Sequence, residues 1–208
     1  TLLSHAVLAL TLLAAAPGYA ASDALLQPAK AAFTQALAGD EAALHKAVAA
    51  FDALHQREPT DPLLMAYLGA STTMLATTTL LPWKKMRYAE DGLALLDKAL
   101  GLLNPAQDTA LHDGVATSLQ VRLLASNTFM AVPGFMNRSA RGAKLLADIQ
   151  ASPAFARAPV GFAAQVWLCA ISLRTSSSGS PVSLVREATS SSRFFSASCC
   201  ASGETRGV

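Results

Sequence analysis

A short run of cationic and aromatic side chains holds the residue types in this chain that are best suited to binding. Trp83, Lys84, Lys85, Arg87 and Tyr88 lie within six consecutive positions. An arginine can form a bidentate fork on a carboxylate or phosphate, and aromatic rings offer a stacking face. The run therefore predicts a site for an anionic group or for the acidic tail of a protein partner.

The same run also has a purely structural interpretation. Arg87 and Asp91 are four residues apart, so they would pair on one face of a helix, and lysine stems can cover apolar surface. The cations nevertheless lie near the start of a predicted helix, where the helix dipole disfavours positive charge. Both interpretations stay open.

A second unusual segment contains eight apolar or small residues, from Phe129 to Met136 (FMAVPGFM). Its central Pro-Gly pair predicts an irregular backbone. Such a segment either folds into the core as a plug or forms an exposed patch for a hydrophobic peptide or lipid tail. We expect the plug, and a small-molecule or lipid pocket near this segment is the alternative.

Patterns typical of catalysis are absent from the sequence, which has no H-E-x-x-H, C-x-x-C, G-x-S-x-G or S-x-x-K and no phosphate-binding glycine loop. Beyond residue 20 the histidines are His45, His55 and His112. The first two would lie about 15 Å apart along one helix, too far for one metal ion. We therefore predict no catalysis, no metal and no cofactor.

Composition excludes other classes of protein. Of the 208 residues, 52% are hydrophobic and 14% are charged, against roughly 25% charged in an ordinary domain. Residues 1–170 hold twelve Lys and Arg and twelve Asp and Glu. No basic stripe is available to neutralise phosphates, so no nucleic-acid partner is expected.

Apolar residues recur at helical spacing, and no convincing alternating segment is present. The sequence therefore predicts an all-α fold. We expect Asp40, Asp61 and Asp108 to cap helices. The predicted helices are 23–37, 41–56, 62–76, 84–103, 109–128, 138–150 and a last one from 159 through 170. Short turns make consecutive helices antiparallel neighbours, so the first six should form three hairpins.

Residues 46–105 resemble a tetratricopeptide repeat. Ala47, Phe51 and Pro59 stand at the spacing of the small, aromatic and proline positions of that family's second helix, and a Leu68-Gly69 pair follows. The resemblance implies stacked helical hairpins that bind proteins and carry no chemistry. A plain helical bundle, with Gly and Pro at ordinary turn positions, is the alternative.

The two ends of the chain differ from this body. Residues 6–16 form an apolar run too short to span a membrane, which predicts a secretory signal over 1–20 with cleavage after Ala20. The alternative is a buried first helix. Residues 171–208 contain twelve serines, whereas residues 1–170 contain seven. We interpret this segment as a disordered Ser/Arg-rich tail or as an out-of-frame product, with the helical domain ending at 170.

Together these patterns predict an exported helical-repeat protein, located in the bacterial periplasm, that serves as a protein-protein interaction scaffold. No membrane span is expected once the signal is removed. The alternative is a helical protein that binds a small molecule or lipid near Phe129–Met136.

Overall fold

Helices make up most of the structure, a computed structural model that describes the backbone of residues 18–177 and the side chains of residues 24–173. A two-stranded antiparallel hairpin is the only sheet among these residues. The all-α prediction is confirmed. The elements are α1 (Gly18–Leu37), α2 (Glu41–Arg57), α3 (Pro62–Met74), α4 (Pro82–Gly101), β1 (Leu111–His112), β2 (Val115–Ala116), α5 (Thr117–Ala131), α6 (Ser139–Ala151) and α7 (Val160–Ser177).

Helices α2 and α3 begin where the sequence predicts because an aspartate caps each of them. Asp40 accepts a hydrogen bond from the Ala43 amide at 2.9 Å. Asp61 accepts from two amides in the first turn of α3, at 2.7 and 3.1 Å. These amides have no partner inside the helix, so each cap stabilises a defined start.

Consecutive helices pair as antiparallel hairpins, α1 with α2, α3 with α4, and α5 with α6, as the sequence predicts. Helix α3 also contacts α2 on one side and α5 on the other, which stacks the three hairpins side by side. Helix α7 packs against α6 at the end of the stack. The architecture is therefore a short stack of helical hairpins.

Three apolar clusters fill the spaces between the hairpins, and α3 contributes to two of them. Leu64 and Leu68 pack with α1 and α2, whereas Leu63 and Met65 pack with α4 and α5. The third cluster joins α5, α6 and α7 and includes the fully buried Val166. Helix α3 is thus buried around most of its circumference.

Two pairs of small residues bring the helices of a hairpin unusually close together. A Cβ atom added to Gly92 of α4 would lie 2.2 Å from Thr73 Oγ1 and 2.5 Å from the carbonyl oxygen of Gly69, both on α3. In the next hairpin, Ser126 Oγ donates a hydrogen bond to the Gly142 carbonyl at 2.8 Å. Only residues without a large side chain permit such backbone contacts.

The fifth helix differs from the prediction, because it begins at Thr117 rather than at residue 109. A tight hairpin precedes it, and Asp113 and Gly114 at the tip both have positive φ, at 52° and 75°. An Asp-Gly pair favours this type of turn, and the helical interpretation of 109–128 overlooked that signal. Leu111, in β1, is 62% exposed.

Asp108 is also not the cap that the sequence predicts. It lies in a short 3-10 turn, Pro105–Asp108, which ends before the β-hairpin. Its carboxylate accepts a hydrogen bond from Ser118 Oγ at 2.5 Å and lies 3.8 Å from Arg122 Nη1, both in α5. Asp108 therefore holds the turn against the side of α5.

The β-hairpin tip ties the third helical hairpin to the first. Asp113 accepts a hydrogen bond from Gln27 Nε2 at 2.9 Å and a salt-bridging one from Lys30 Nζ, both on α1. The hydrogen bond from Lys30 is the main reason that the pKa of Asp113 lies below its ordinary value of 3.8. The contact joins residues more than eighty positions apart in the chain.

The predicted ends of the helical domain both fall inside helices. Helix α1 begins at Gly18, so the predicted cleavage point after Ala20 lies in its first turn, and residues 1–17 lie outside the described part. Helix α7 continues to Ser177, so it includes the first seven residues of the predicted tail. Leu173 packs against the third cluster, which explains the continuation. The rest of the predicted tail lies outside the described residues.

Substituting Gly92 tests the close contact between α3 and α4. We expect Gly92→Ala to lower the free energy of unfolding by about 3 kcal/mol, since the new methyl group would overlap the α3 backbone. Gly101→Ala, in the same helix with open space around its Cβ position, should raise stability by up to about 1 kcal/mol. Urea unfolding followed by circular dichroism measures both. Equal changes in the free energy of unfolding for the two variants would contradict the close contact between α3 and α4 at Gly92.

Asp113 should contribute stability that depends on pH. Its pKa is lowered in the folded chain, so its contribution is complete above the ordinary pKa near 3.8 and is lost as pH falls through the folded-state pKa. We expect Asp113→Asn, which keeps a residue that tolerates positive φ, to cost about 0.5–1 kcal/mol at pH 7, since the carboxylate is half exposed. At pH 3 the difference in free energy of unfolding between the variant and the parent chain should be smaller than at pH 7. If this difference does not change with pH, the charge of Asp113 is not its cause.

Candidate functional site

The predicted binding residues all lie on the first two turns of α4, which project beyond the core. Pro82 occupies the first helical position, and no side chain caps the helix. Trp83 is 67% exposed, and Leu80, just before the helix, is 93% exposed. Two large apolar side chains therefore face solvent where α4 begins.

Helical geometry divides these residues between different faces of α4. Successive residues are rotated by about 100°, so Trp83 shares a stripe with Met86, Glu90 and Asp97. Lys85 and Tyr88 lie on the other side of the helix, and Tyr88 packs half-buried against the first cluster. The five residues of the predicted site therefore lie on more than one face of α4.

The cations at the start of α4 differ in their partners. Arg87 Nε lies 3.6 Å from Asp91 Oδ2, which is the helical pair that the sequence predicts. Both side chains are mostly exposed, so the pair contributes little stability. Among the described residues no carboxylate lies within ion-pairing distance of Lys84 or Lys85. These two lysines remain free to interact with an anionic partner.

A cleft of about 380 Å³ opens along the Trp83 stripe, between α4 and the turn that follows α5. One wall is the part of α4 that begins at Met86. The opposite wall is formed by the 3-10 turn Gly134–Met136 and by Arg138, two residues after it. The lining residues are Met86, Glu90, Leu93, Ala94, Asp97, Phe135, Met136 and Arg138. The cleft thus joins the two segments that the sequence singled out.

The segment from Phe129 to Met136 is divided between core and surface. Helix α5 continues through Ala131, so the segment is not irregular throughout. Phe129 and Val132 are buried in the second cluster, as expected for a core plug. Phe135, in contrast, is 73% exposed at the rim of the cleft. The plug prediction is confirmed for Phe129 and Val132. Met136 also packs partly buried against the second cluster, so the exposed Phe135 is the clearest departure from it.

The far end of the cleft is fixed by a network of charges between α4 and the start of α6. Asp97 accepts hydrogen bonds from Arg138 Nη1 at 2.8 Å and from Arg141 Nη1 at 2.5 Å. Both guanidinium groups also lie over the Phe129 ring, 5.5 and 5.3 Å from its centroid. Cation-π contact and ion pairing therefore hold the two walls together.

Glu90 is the other acidic residue of the cleft and, unlike Asp97, it has no arginine as a hydrogen-bond partner. It lies one turn beyond Met86 on the same stripe and opposite Phe135 and Met136. Within residues 24–173, no side chain forms a hydrogen bond or an ion pair with its carboxylate. The cleft therefore presents one negative charge without a compensating partner.

The histidines of the described part of the chain lie on α2 and β1. His45 Nε2 lies 3.9 Å from Glu41 on the surface of α2, His55 is half-buried, and His112 lies in β1. No group of three histidine, cysteine, aspartate or glutamate residues in residues 24–173 is arranged to hold a metal ion. None of the helices described has the length and apolarity needed to cross a membrane.

Sequence reasoning missed Glu90, Asp97 and Arg138 as parts of the site. A signal for Glu90 and Asp97 was present, because both stand at helical spacing from Met86. Arg138 carried no such signal, since it is 41 positions from Asp97 and only the stacking of the hairpins brings them together.

Comparisons of the chain with protein-family models, with curated proteins and with solved structures found no match. The function proposed below therefore rests on the residues of the cleft and on the helices that position them.

Removing Asp97 should loosen the charged end of the cleft. We expect Asp97→Ala to lower the free energy of unfolding by about 1–2 kcal/mol, because two arginines lose their shared, partly buried partner. Asp148→Ala breaks an exposed pair with Lys144 and should cost less than about 0.5 kcal/mol. Chemical unfolding of both variants measures the difference, and an equal cost would contradict the bridging role of Asp97.

Proposed function

We propose that this chain is an exported helical-repeat protein that acts as an interaction scaffold and binds a protein partner through the cleft beside α4. The observation that carries the proposal is that one cleft is lined by the exposed Phe135 and the partly exposed Met86, with the exposed Trp83 one turn before Met86 on α4. Exposed aromatic and methionine side chains are enriched at the centres of protein interfaces.

The rigidity of the walls supports a docking role. Helix α4 is fixed against α3 by the contact between Gly69 and Gly92. The opposite wall is fixed to α4 through Asp97 and Arg138. A preformed cleft loses little conformational entropy on binding, which favours affinity for a partner that fits it.

The local packing supports the likeness to tetratricopeptide repeats that the sequence suggests. Ala47 and Phe51 are fully buried, and Phe51 stacks on Tyr67 with ring centroids 4.8 Å apart. Gly69 allows the close approach of α4. Stacked hairpins of this kind are suited to presenting an extended binding surface.

A small molecule or lipid is the alternative occupant of the cleft. Its volume of about 380 Å³ lies in the range of ligand pockets. Such pockets usually enclose most of the ligand among apolar groups, whereas this cleft is lined by three charged side chains and Phe135 stands open to solvent. We therefore favour a protein partner.

A photo-crosslinker placed in the cleft distinguishes the two occupants. Benzoylphenylalanine is incorporated at position 135, and the cells that produce the protein are irradiated. We expect discrete crosslinked adducts with other proteins. These adducts should disappear when Met86→Ser is added, because the apolar wall of the cleft loses a large contact surface. Mass spectrometry identifies each adduct.

The control places the crosslinker at position 53, where Ala53 is exposed on α2, away from the cleft. An adduct too small to be a protein would favour the alternative. The same adducts from positions 135 and 53 would exclude the cleft as a specific site.

A further inference from the structure

The charge balance of the cleft indicates the chemistry of its occupant. Asp97 is compensated by Arg138 and Arg141, through hydrogen bonds of 2.8 and 2.5 Å. Glu90 has no such partner among the described residues, although it lies between the same two walls. Of the three charged side chains that line the cleft, Glu90 is therefore the one without an ion-pairing partner among the described residues.

Docking at the cleft would cover this charge. Met86 and Ala94 flank Glu90 on α4, and Phe135 and Met136 face it, so a partner that contacts these apolar groups also removes water from the carboxylate. An ionised carboxylate that loses water without gaining a partner is costly. A partner of high affinity must therefore bring a compensating group to Glu90.

We propose that the partner inserts a lysine or arginine side chain, flanked by apolar residues, so that its cation pairs with Glu90. This inference rests on the proposed function and names the chemistry of the partner. The aromatic ring of Phe135 provides a further favourable surface for the cation. The flanking apolar residues of the partner contact Met86 and Met136.

The competing expectation is an acidic partner that pairs with Lys84 and Arg87. Arg87 already has Asp91 as a neighbour at 3.6 Å, and neither cation lines the cleft. An acidic partner would thus gain its charge pairs outside the apolar contact area and would leave Glu90 unpaired. The charges of the cleft therefore favour the basic partner.

Selection from a peptide library tests the proposal without knowledge of the natural partner. A phage-displayed library of random peptides is selected on the full chain and depleted on the Met86→Ser, Phe135→Ser variant, which loses apolar contacts without gaining charge. We expect the enriched peptides to contain Lys or Arg between apolar residues. Enriched peptides that are neutral or acidic would overturn this inference and leave the cleft as a docking site. No enrichment over the variant would overturn the proposed function as well.

A matched pair of variants then tests the role of Glu90 directly. Trp83 fluorescence follows the binding of two peptides. One is an enriched peptide, and the other is the same peptide with norleucine in place of its basic residue. Trp167→Phe leaves Trp83 as the sole tryptophan of the two in the chain. Glu90→Gln should weaken the basic peptide about tenfold and strengthen the norleucine peptide, because a neutral amide is easier to desolvate.

The control is Asp91→Asn, which removes the same charge from the next residue but outside the cleft. We expect it to change the affinity of either peptide by less than about twofold, since exposed charges are well screened. Equal effects of Glu90→Gln and Asp91→Asn, or a norleucine peptide that binds as well as the basic one, would overturn the inference.

Discussion

The close approach of α3 and α4 at Gly69 and Gly92 is the constraint on which the other features depend. Any side chain at position 92 would overlap the backbone of α3, so the two helices can pack at this distance only through glycine. Because α3 also contributes to two apolar clusters, its position sets the spacing of the first and third hairpins. A change at this crossing would therefore be transmitted through close-packed side chains to the whole stack.

The candidate site follows from the same crossing. Helix α4 is held to the core from Ala89 onward, and its first two turns extend beyond it, which exposes Trp83 and Met86. The turn that follows α5 meets this extension because α5 packs on α3 and α4. The cleft is thus formed between two hairpins, at a place where neither hairpin alone would bury its apolar residues.

The sequence was sufficient for the helices but not for the site. Apolar periodicity and the caps Asp40 and Asp61 act locally, so they predicted five of the helix starts to within two residues. The β-hairpin was missed because periodicity outweighed the Asp113-Gly114 turn signal. Glu90 and Phe135 lie on opposite walls of the cleft because of the way the hairpins stack, and no local sequence pattern encodes that stacking. The predicted basic run therefore included residues that lie outside the cleft.

The distance between Gly69 and Gly92 is the most direct test of this account. Nuclear Overhauser spectra of the full chain, with glycines labelled, report which α protons lie in contact. The account predicts cross-peaks from the α protons of Gly92 to Gly69 and to Thr73, the two residues that its missing side chain would overlap. If other contacts between α3 and α4 give cross-peaks while this pair gives none, the helices do not cross at these glycines and the cleft is not positioned as described.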